Sequence, residues 1–308
     1  MAIFEFNFTP VLLECDARIM VTIPSMYDDY GMYQKAGLED YDINSNEDYG
    51  FSHNAGMIKR IYPENYKYPT VYLMHGGGES CTAWYRNTKV ERYAQEMGCM
   101  TVSVDLFNSF GSNMKHGYRY MEYVIEEVMP MVQRYFPSSP KREDNFILGF
   151  SMGAHVAMKY ALNYPEKFAG VFSMSGAKDI VKMIKLAKEV LGSDGRTEYD
   201  CFGPTEEIYG TENDLLYLAK SLAQSDRPRP LIFHSCGEQD YGLALCKEFK
   251  EYLDSVGLEN TFYTVPGVHD YYYTDNMVRK AICECFPFRD RKTLLEEAKA
   301  RTEALKGL

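Results

Sequence analysis

Positive charge is in deficit: 33 Lys and Arg face 44 Asp and Glu, for a net charge of −11. A chain that grips phosphate backbones carries a basic footprint, so no nucleic-acid partner is expected. No apolar run approaches the roughly 18 residues of a membrane span, so no membrane partner is expected either. The first residues, Met-Ala-Ile-Phe-Glu-Phe-Asn-Phe, alternate like a strand and lack a basic stretch followed by an apolar one. An unprocessed, cytoplasmic protein is the expectation. The eight Cys are scattered and come without an export signal, which favours reduced thiols over a disulfide framework. Cys283 and Cys285 have no second Cys or His pair at zinc-like spacing, so no metal site is expected. Internal repeats and Gly/Ser- or Pro-rich linkers are also missing.

What remains is an ordinary globular mix, with 45% hydrophobic and 25% charged residues over 308 positions, enough for one large core. Short apolar runs alternate with amphipathic ones, the pattern of βα units on a mostly parallel sheet with helices on both faces. Strands are expected at Ile3–Phe8, Ala17–Ile23, Thr70–Met74, Met100–Val104, Asn145–Phe150, Gly170–Met174, Leu231–Ser235 and Thr261–Val265. Helices are expected over Tyr118 to Phe136, Ala154 to Tyr164, Tyr241 to Val256, and from after His269 to about Phe286. Three stretches stand apart. Residues 25–68 are an extra loop rich in Tyr, Asp, Glu and Asn. Residues 177–229 read as a small cap-like insertion, a helical piece from Ile180 to Leu191 followed by polar, Gly-containing chain. Residues 290–308 read as a charged C-terminal helix.

The sharpest chemical feature is Gly149-Phe150-Ser151-Met152-Gly153, between an apolar strand and a helix-forming run. G-x-S-x-G alone occurs by chance in roughly one chain in ten of this length. In this setting it is a tight strand-to-helix turn that exposes the Ser151 hydroxyl. The flanking glycines are required because a Cβ at either would clash where strand and helix cross. The second feature is His75-Gly76-Gly77-Gly78, at the end of the Thr70–Met74 run. Acyl transfer builds negative charge on a carbonyl oxygen, and two backbone N–H groups stabilise it. Met152, after the nucleophile, supplies one, and Gly77 is the choice for the other. A plain Gly-rich turn is the bland alternative, and the phosphate-loop patterns are absent.

A hydroxyl needs a base. Of His53, His75, His116, His155, His234 and His269, only His269 follows the last plausible acid and sits just past a strand. His155 is expected to pack or face solvent, His234 to lie in the core, and His53 and His116 to be solvated. Asp240, 89 residues after Ser151 and 29 before His269, is the chosen acid; Glu238 is the near alternative and Asp179 a distant one.

With these residues in view, the chain resembles the α/β-hydrolase esterases of the esterase D and tributyrin-esterase group. The resemblance covers almost the whole chain. It runs through His75-Gly76-Gly77-Gly78 with Trp84, Thr88-Lys89-Val90-Glu91-Arg92, Gly117-Tyr118-Arg119-Tyr120 and Lys141-Arg142-Glu143-Asp144-Asn145-Phe146. It continues through the Ser151 turn with Ala154, Cys236-Gly237-Glu238-Gln239-Asp240 and Gly267-Val268-His269-Asp270. It implies a Ser151, Asp240, His269 triad, donors at Gly77 and Met152, and hydrolysis of short acyl esters without a cofactor. Two departures stand out: a longer 25–68 segment, and a glycine at 77 where relatives often carry a bulkier residue. The expectation is a single-domain serine carboxylesterase acting on aryl, glyceryl or sugar esters. An acyltransferase or S-formylglutathione-type thioesterase is the alternative on the same triad. A catalytically silent binding protein is a distant one, and a homo-oligomer stays open.

Overall fold

The computed structural model describes residues 1–28, 59–61, 66–176, 178–190 and 192–288, with positions 300 and 304. The segment 290–308 therefore lies outside the described residues except at those two positions. Most of the Tyr-rich loop, residues 29–58 and 62–65, lies outside them too.

Eight strands form one sheet: β1 (Ala2–Phe8), β2 (Ala17–Ile23), β5 (Thr70–Met74), β6 (Met100–Val104), β7 (Asn145–Phe150), β8 (Gly170–Met174), β9 (Leu231–Gly237) and β10 (Thr261–Val265). A separate antiparallel ladder joins β3 (Met26–Asp28) to β4 (Lys59–Ile61). The sheet order is β1-β2-β6-β5-β7-β8-β9-β10. The pairs β1/β2 and β2/β6 are antiparallel and the rest are parallel. Parallel strands covered on both faces read as near-continuous apolar runs, and β5, β6, β7 and β8 are buried at every position. Alternation splits each strand between two cores. β5 sends Tyr72 and Met74 to one, where the helix Met152–Asn163, the run Tyr120–Tyr135 and the helix Leu243–Val256 pack. It sends Val71 and Leu73 to the other, beneath the helices Val90–Met97 and Tyr271–Lys280. This is the α/β-hydrolase arrangement.

The run expected over Tyr118 to Phe136 begins at Tyr120 and carries a wider π turn at Tyr123–Val128 before Met129–Tyr135. Pro130 has no N–H to give to a carbonyl behind it, and the π register falls just ahead of it. The 177–229 stretch is more helical than its polar composition suggests. Beyond Ile180–Val190 it holds Arg196–Phe202 and Leu215–Ala223. Asp214 starts the last of these by accepting the Leu216 and Tyr217 N–H groups. Ile180, Ile184, Cys201, Phe202 and Ile208 make a small apolar cluster against Phe110 and Met114. The Leu215–Ala223 helix instead packs into the main core.

Lys159, wholly buried on the Met152–Asn163 helix, ties these parts together. Its ammonium donates to the Phe110 carbonyl (2.8 Å), Ser112 Oγ (2.7 Å) and Asn213 Oδ1 (2.9 Å). Burial pushes its pKa down to about 7, against a smaller upward pull from Glu212. No helix among the described residues is long and apolar enough to cross a membrane. No group of three or more His, Cys, Asp or Glu among them could hold a metal ion.

Candidate active site

β7 ends in the middle of the sheet, between β5 and β8, and the chain turns at Ser151 directly into the helix Met152–Asn163. The turn forces Ser151 to φ 56°, ψ −120°, a strained conformation for a residue with a side chain. The glycines on either side are a steric necessity. A Cβ on Gly149 would stand 2.0 Å from the Gly153 carbonyl oxygen, and one on Gly153 would stand 1.9 Å from the Met74 carbonyl oxygen.

Ser151 Oγ lies 2.9 Å from His269 Nε2, and His269 Nδ1 lies 2.8 Å from Asp240 Oδ2. Asp240 follows β9 and His269 follows β10, so both reach the same carboxyl edge of the sheet as Ser151. A carboxylate only accepts, so Nδ1 carries the proton and Nε2 is left to accept from the Ser151 hydroxyl. Burial alone would raise the Asp240 carboxyl. The hydrogen bonds from His269 and from the Gly242 N–H (2.7 Å), with the Ser175 hydroxyl, outweigh it and hold the group below its ordinary value. The imidazole sits between Phe150 and Tyr241, at ring distances of 4.7 and 5.0 Å. Of the other acids considered, Glu238 is exposed, and Asp179 accepts the Lys182 N–H at a helix start.

The glycine turn after β5 is pinned at each peptide. Glu79 accepts the Gly76 N–H at 2.9 Å, and Asn108 Oδ1 accepts the Gly78 N–H at 2.6 Å. His75, buried, accepts the Leu106 N–H on Nε2 (3.0 Å), so its protonated Nδ1 donates to the Gly76 carbonyl (2.7 Å). Burial also lowers the His75 pKa, which keeps the ring neutral. The Gly76 carbonyl and the Gly77 N–H belong to one planar trans peptide and point opposite ways. Fixing the first therefore aims the second. Among the described residues the Gly77 N–H has no acceptor. Met152 is the first residue of its helix, so its N–H has no carbonyl of that helix to meet. A Cβ on Gly77 would meet only Asn108 Oδ1, at 3.8 Å.

The remaining histidines lie elsewhere. His155 and His234 are buried, and burial pushes His234 down to about 3. His116 stacks on Tyr199, and His53 lies outside the described residues. No sequence pattern singled out Glu79, Asn108 or Tyr271, which all bear on the turn through hydrogen bonds. Two cavities flank it. One of about 300 Å³ is lined by Asp16, Arg18, Glu79, Asp105 and Phe107. One of about 370 Å³ is lined by Phe107, Asn108, Met114, Tyr118, Tyr120 and Asp200.

Comparison with known proteins identifies the family. Residues 53–275 match the family model Esterase, described as "Putative esterase". The acetyl esterase of Caldicellulosiruptor saccharolyticus is 24% identical over 284 residues, covering 91% of this chain and 97% of that one. Among solved structures, the fluorophosphonate-binding serine hydrolase FphF of Staphylococcus aureus, with substrate bound, superposes with a TM-score of 0.74 at 26% identity. The S-formylglutathione hydrolase FrmB of the same organism does so at 0.72 and 26%. Each alignment covers 92% of this chain and 98% of the other. With the family model spanning more than half of the chain and the fold shared with these serine hydrolases, the chain belongs to the Esterase family and is an α/β-hydrolase-fold serine ester hydrolase.

Proposed function

We propose that the protein is a carboxylesterase for short acyl esters, working through an acyl-enzyme on Ser151. The observation that carries this reading is the unbroken hydrogen-bonded line Ser151–His269–Asp240, with the Gly77 and Met152 N–H groups lacking an acceptor among the described residues. Ser151 Oγ attacks the ester carbonyl as His269 Nε2 takes its proton. Asp240 holds the imidazole tautomer and stabilises the imidazolium. Gly77 and Met152 donate to the oxyanion. His269 then returns the proton to the departing alcohol, and water activated by the same ring releases the acid. None of these steps calls for a cofactor.

The alcohol part is assigned to the cavity between Phe107 and Tyr120. Phe107 and Tyr118 remain 53% and 43% exposed at its wall, which suits a flat aryl or sugar face. The whole chain is proposed to act as one domain, which the packing of the Leu215–Ala223 helix into the main core supports. The remainder of the 25–68 loop is proposed to shape substrate choice. Thioester hydrolysis is a second reading, favoured by the likeness to the S. aureus S-formylglutathione hydrolase.

The test is turnover of p-nitrophenyl acetate by the wild type and Ser151→Ala, alongside S-formylglutathione as a competing substrate. Ser151→Ala should lose several orders of magnitude, and a fluorophosphonate should label Ser151 alone. A variant that kept a tenth of wild-type turnover would end the serine-ester reading. A higher kcat/KM on S-formylglutathione would favour the thioesterase.

A further inference from the structure

Glu79 follows the glycine turn directly and has no part in the steps above. Its carboxylate is half-buried. Oε2 accepts the Gly76 N–H at 2.9 Å, and the Tyr271 hydroxyl reaches Oε1 at 2.6 Å and Oε2 at 2.7 Å. Tyr271 belongs to the other end of the site, since it opens a helix two residues past His269. Its ring rests on Phe150 at 5.5 Å, and Phe150 in turn rests on His269. Burial and the Glu79 carboxylate both raise the Tyr271 phenol, so it stays protonated and donates. Glu79 is thus the joint between two segments 192 residues apart: the turn that presents the Gly77 N–H and the segment that presents His269.

We propose that Glu79 is a positioning residue that holds the oxyanion-binding turn and the His269 segment in one rigid frame. The proposal rests on the serine-esterase reading of Ser151. Charge relief at the oxyanion depends on where the donor N–H points, and a tilted donor loses most of its effect on the transition state while ground-state binding barely changes. Losing Glu79 would free the Gly76 peptide and, through it, the neighbouring plane that carries the Gly77 N–H. The His75 contact would then be the restraint left on that plane. Both halves of the reaction pass through an oxyanion, so acylation and deacylation should suffer alike.

The decisive experiment compares wild type, Glu79→Ala, Glu79→Gln, Tyr271→Phe and the Glu79→Ala/Tyr271→Phe pair on p-nitrophenyl acetate. Thermal melts and a Ser151→Ala control run beside them. A Gln oxygen can still accept from both the Gly76 N–H and the Tyr271 hydroxyl. Glu79→Ala should lower kcat tenfold or more with KM within twofold, and Glu79→Gln should stay within threefold of wild type. Tyr271→Phe should fall in the same direction, and the double variant should be no worse than Glu79→Ala, because both remove one joint. Wild-type kcat in Glu79→Ala would overturn the proposal. So would a loss carried by KM, the mark of direct substrate contact, or a Glu79→Gln no better than Glu79→Ala. Ser151→Ala separates the two levels. Its activity would sink the serine-esterase reading, whereas an inactive Ser151→Ala beside a fully active Glu79→Ala would sink the frame alone.

Discussion

Asp240 serves two donors with two oxygens: Oδ1 faces the Gly242 N–H at 2.7 Å and Oδ2 faces His269 Nδ1 at 2.8 Å. Asp240→Asn keeps the shape and leaves one oxygen for two claims. If that oxygen stays with Gly242, the amide NH2 points at Nδ1. The imidazole must then move its proton to Nε2, where it can no longer accept from Ser151. If the amide flips, His269 keeps its tautomer but two donors face each other at the Gly242 position. Leaving a buried donor in that state costs about 2–3 kcal/mol, so the competent arrangement falls ~30- to 150-fold. Losing the carboxylate charge weakens the imidazolium by a further order of magnitude or two. The expected fall in kcat/KM is ~10³–10⁴-fold, in line with the loss of about 10⁴ for the same change in the serine-protease triad. Glu238→Gln, at an exposed side chain, should stay within about twofold. Turnover of p-nitrophenyl acetate measures both, and ¹⁵N shifts of His269 read the tautomer directly. Asp240→Asn within tenfold of wild type, or Glu238→Gln as the worse variant, would refute the reasoning.

Gly153→Ala would place a Cβ 1.9 Å from the Met74 oxygen and should cost about 3 kcal/mol or more, while Gly77→Ala, with 3.8 Å of clearance and its N–H intact, should fold and keep most activity. Equal melting temperatures for the two would contradict this. Lys159 has its pKa lowered to about 7, so the folded state binds fewer protons than the unfolded chain above that value, and stability should rise with pH toward the usual lysine range. Measured against Lys159→Met by urea denaturation, the wild type should gain about 2 kcal/mol between pH 7 and 9, and a flat difference would refute it. Phe107→Ala should lower the kcat/KM ratio of aryl to simple alkyl acetates about tenfold, or about 1.4 kcal/mol. An unchanged ratio would remove Phe107 from the alcohol site.

The strands were the most readable part. Thr70–Met74, Met100–Val104, Asn145–Phe150 and Gly170–Met174 are buried at every position and read as mostly apolar runs, which stand out between polar turns. The Ser151 turn was readable for a related reason: two backbone collisions demand its glycines, so geometry is written as composition. Asp240 could be ranked above Glu238 only by its neighbours; in the fold Asp240 lies 2.8 Å from His269 while Glu238 is exposed. The helices Arg196–Phe202 and Leu215–Ala223 stayed hidden because they are short and lie in a polar stretch. Glu79, Asn108 and Tyr271 were beyond reach for another reason. Each is tied to a partner distant in the chain, Glu79 to Tyr271 and Asn108 to Gly78, and a lone polar residue carries no periodicity.

Distance along the chain also orders events in time. The contact between Ser151 and His269 closes 118 residues, and the Glu79–Tyr271 joint closes 192. Loops of that length are entropically costly to close early, and contacts between remote segments slow folding. His269 follows β10, so its contact with Ser151 needs β8, β9 and β10 in the sheet and should be among the last to form. Hydrolytic competence is therefore expected to come late in folding. On refolding, esterase activity should return after the spectroscopic signals of helix and sheet, which makes the reaction itself a reporter of the last step of assembly.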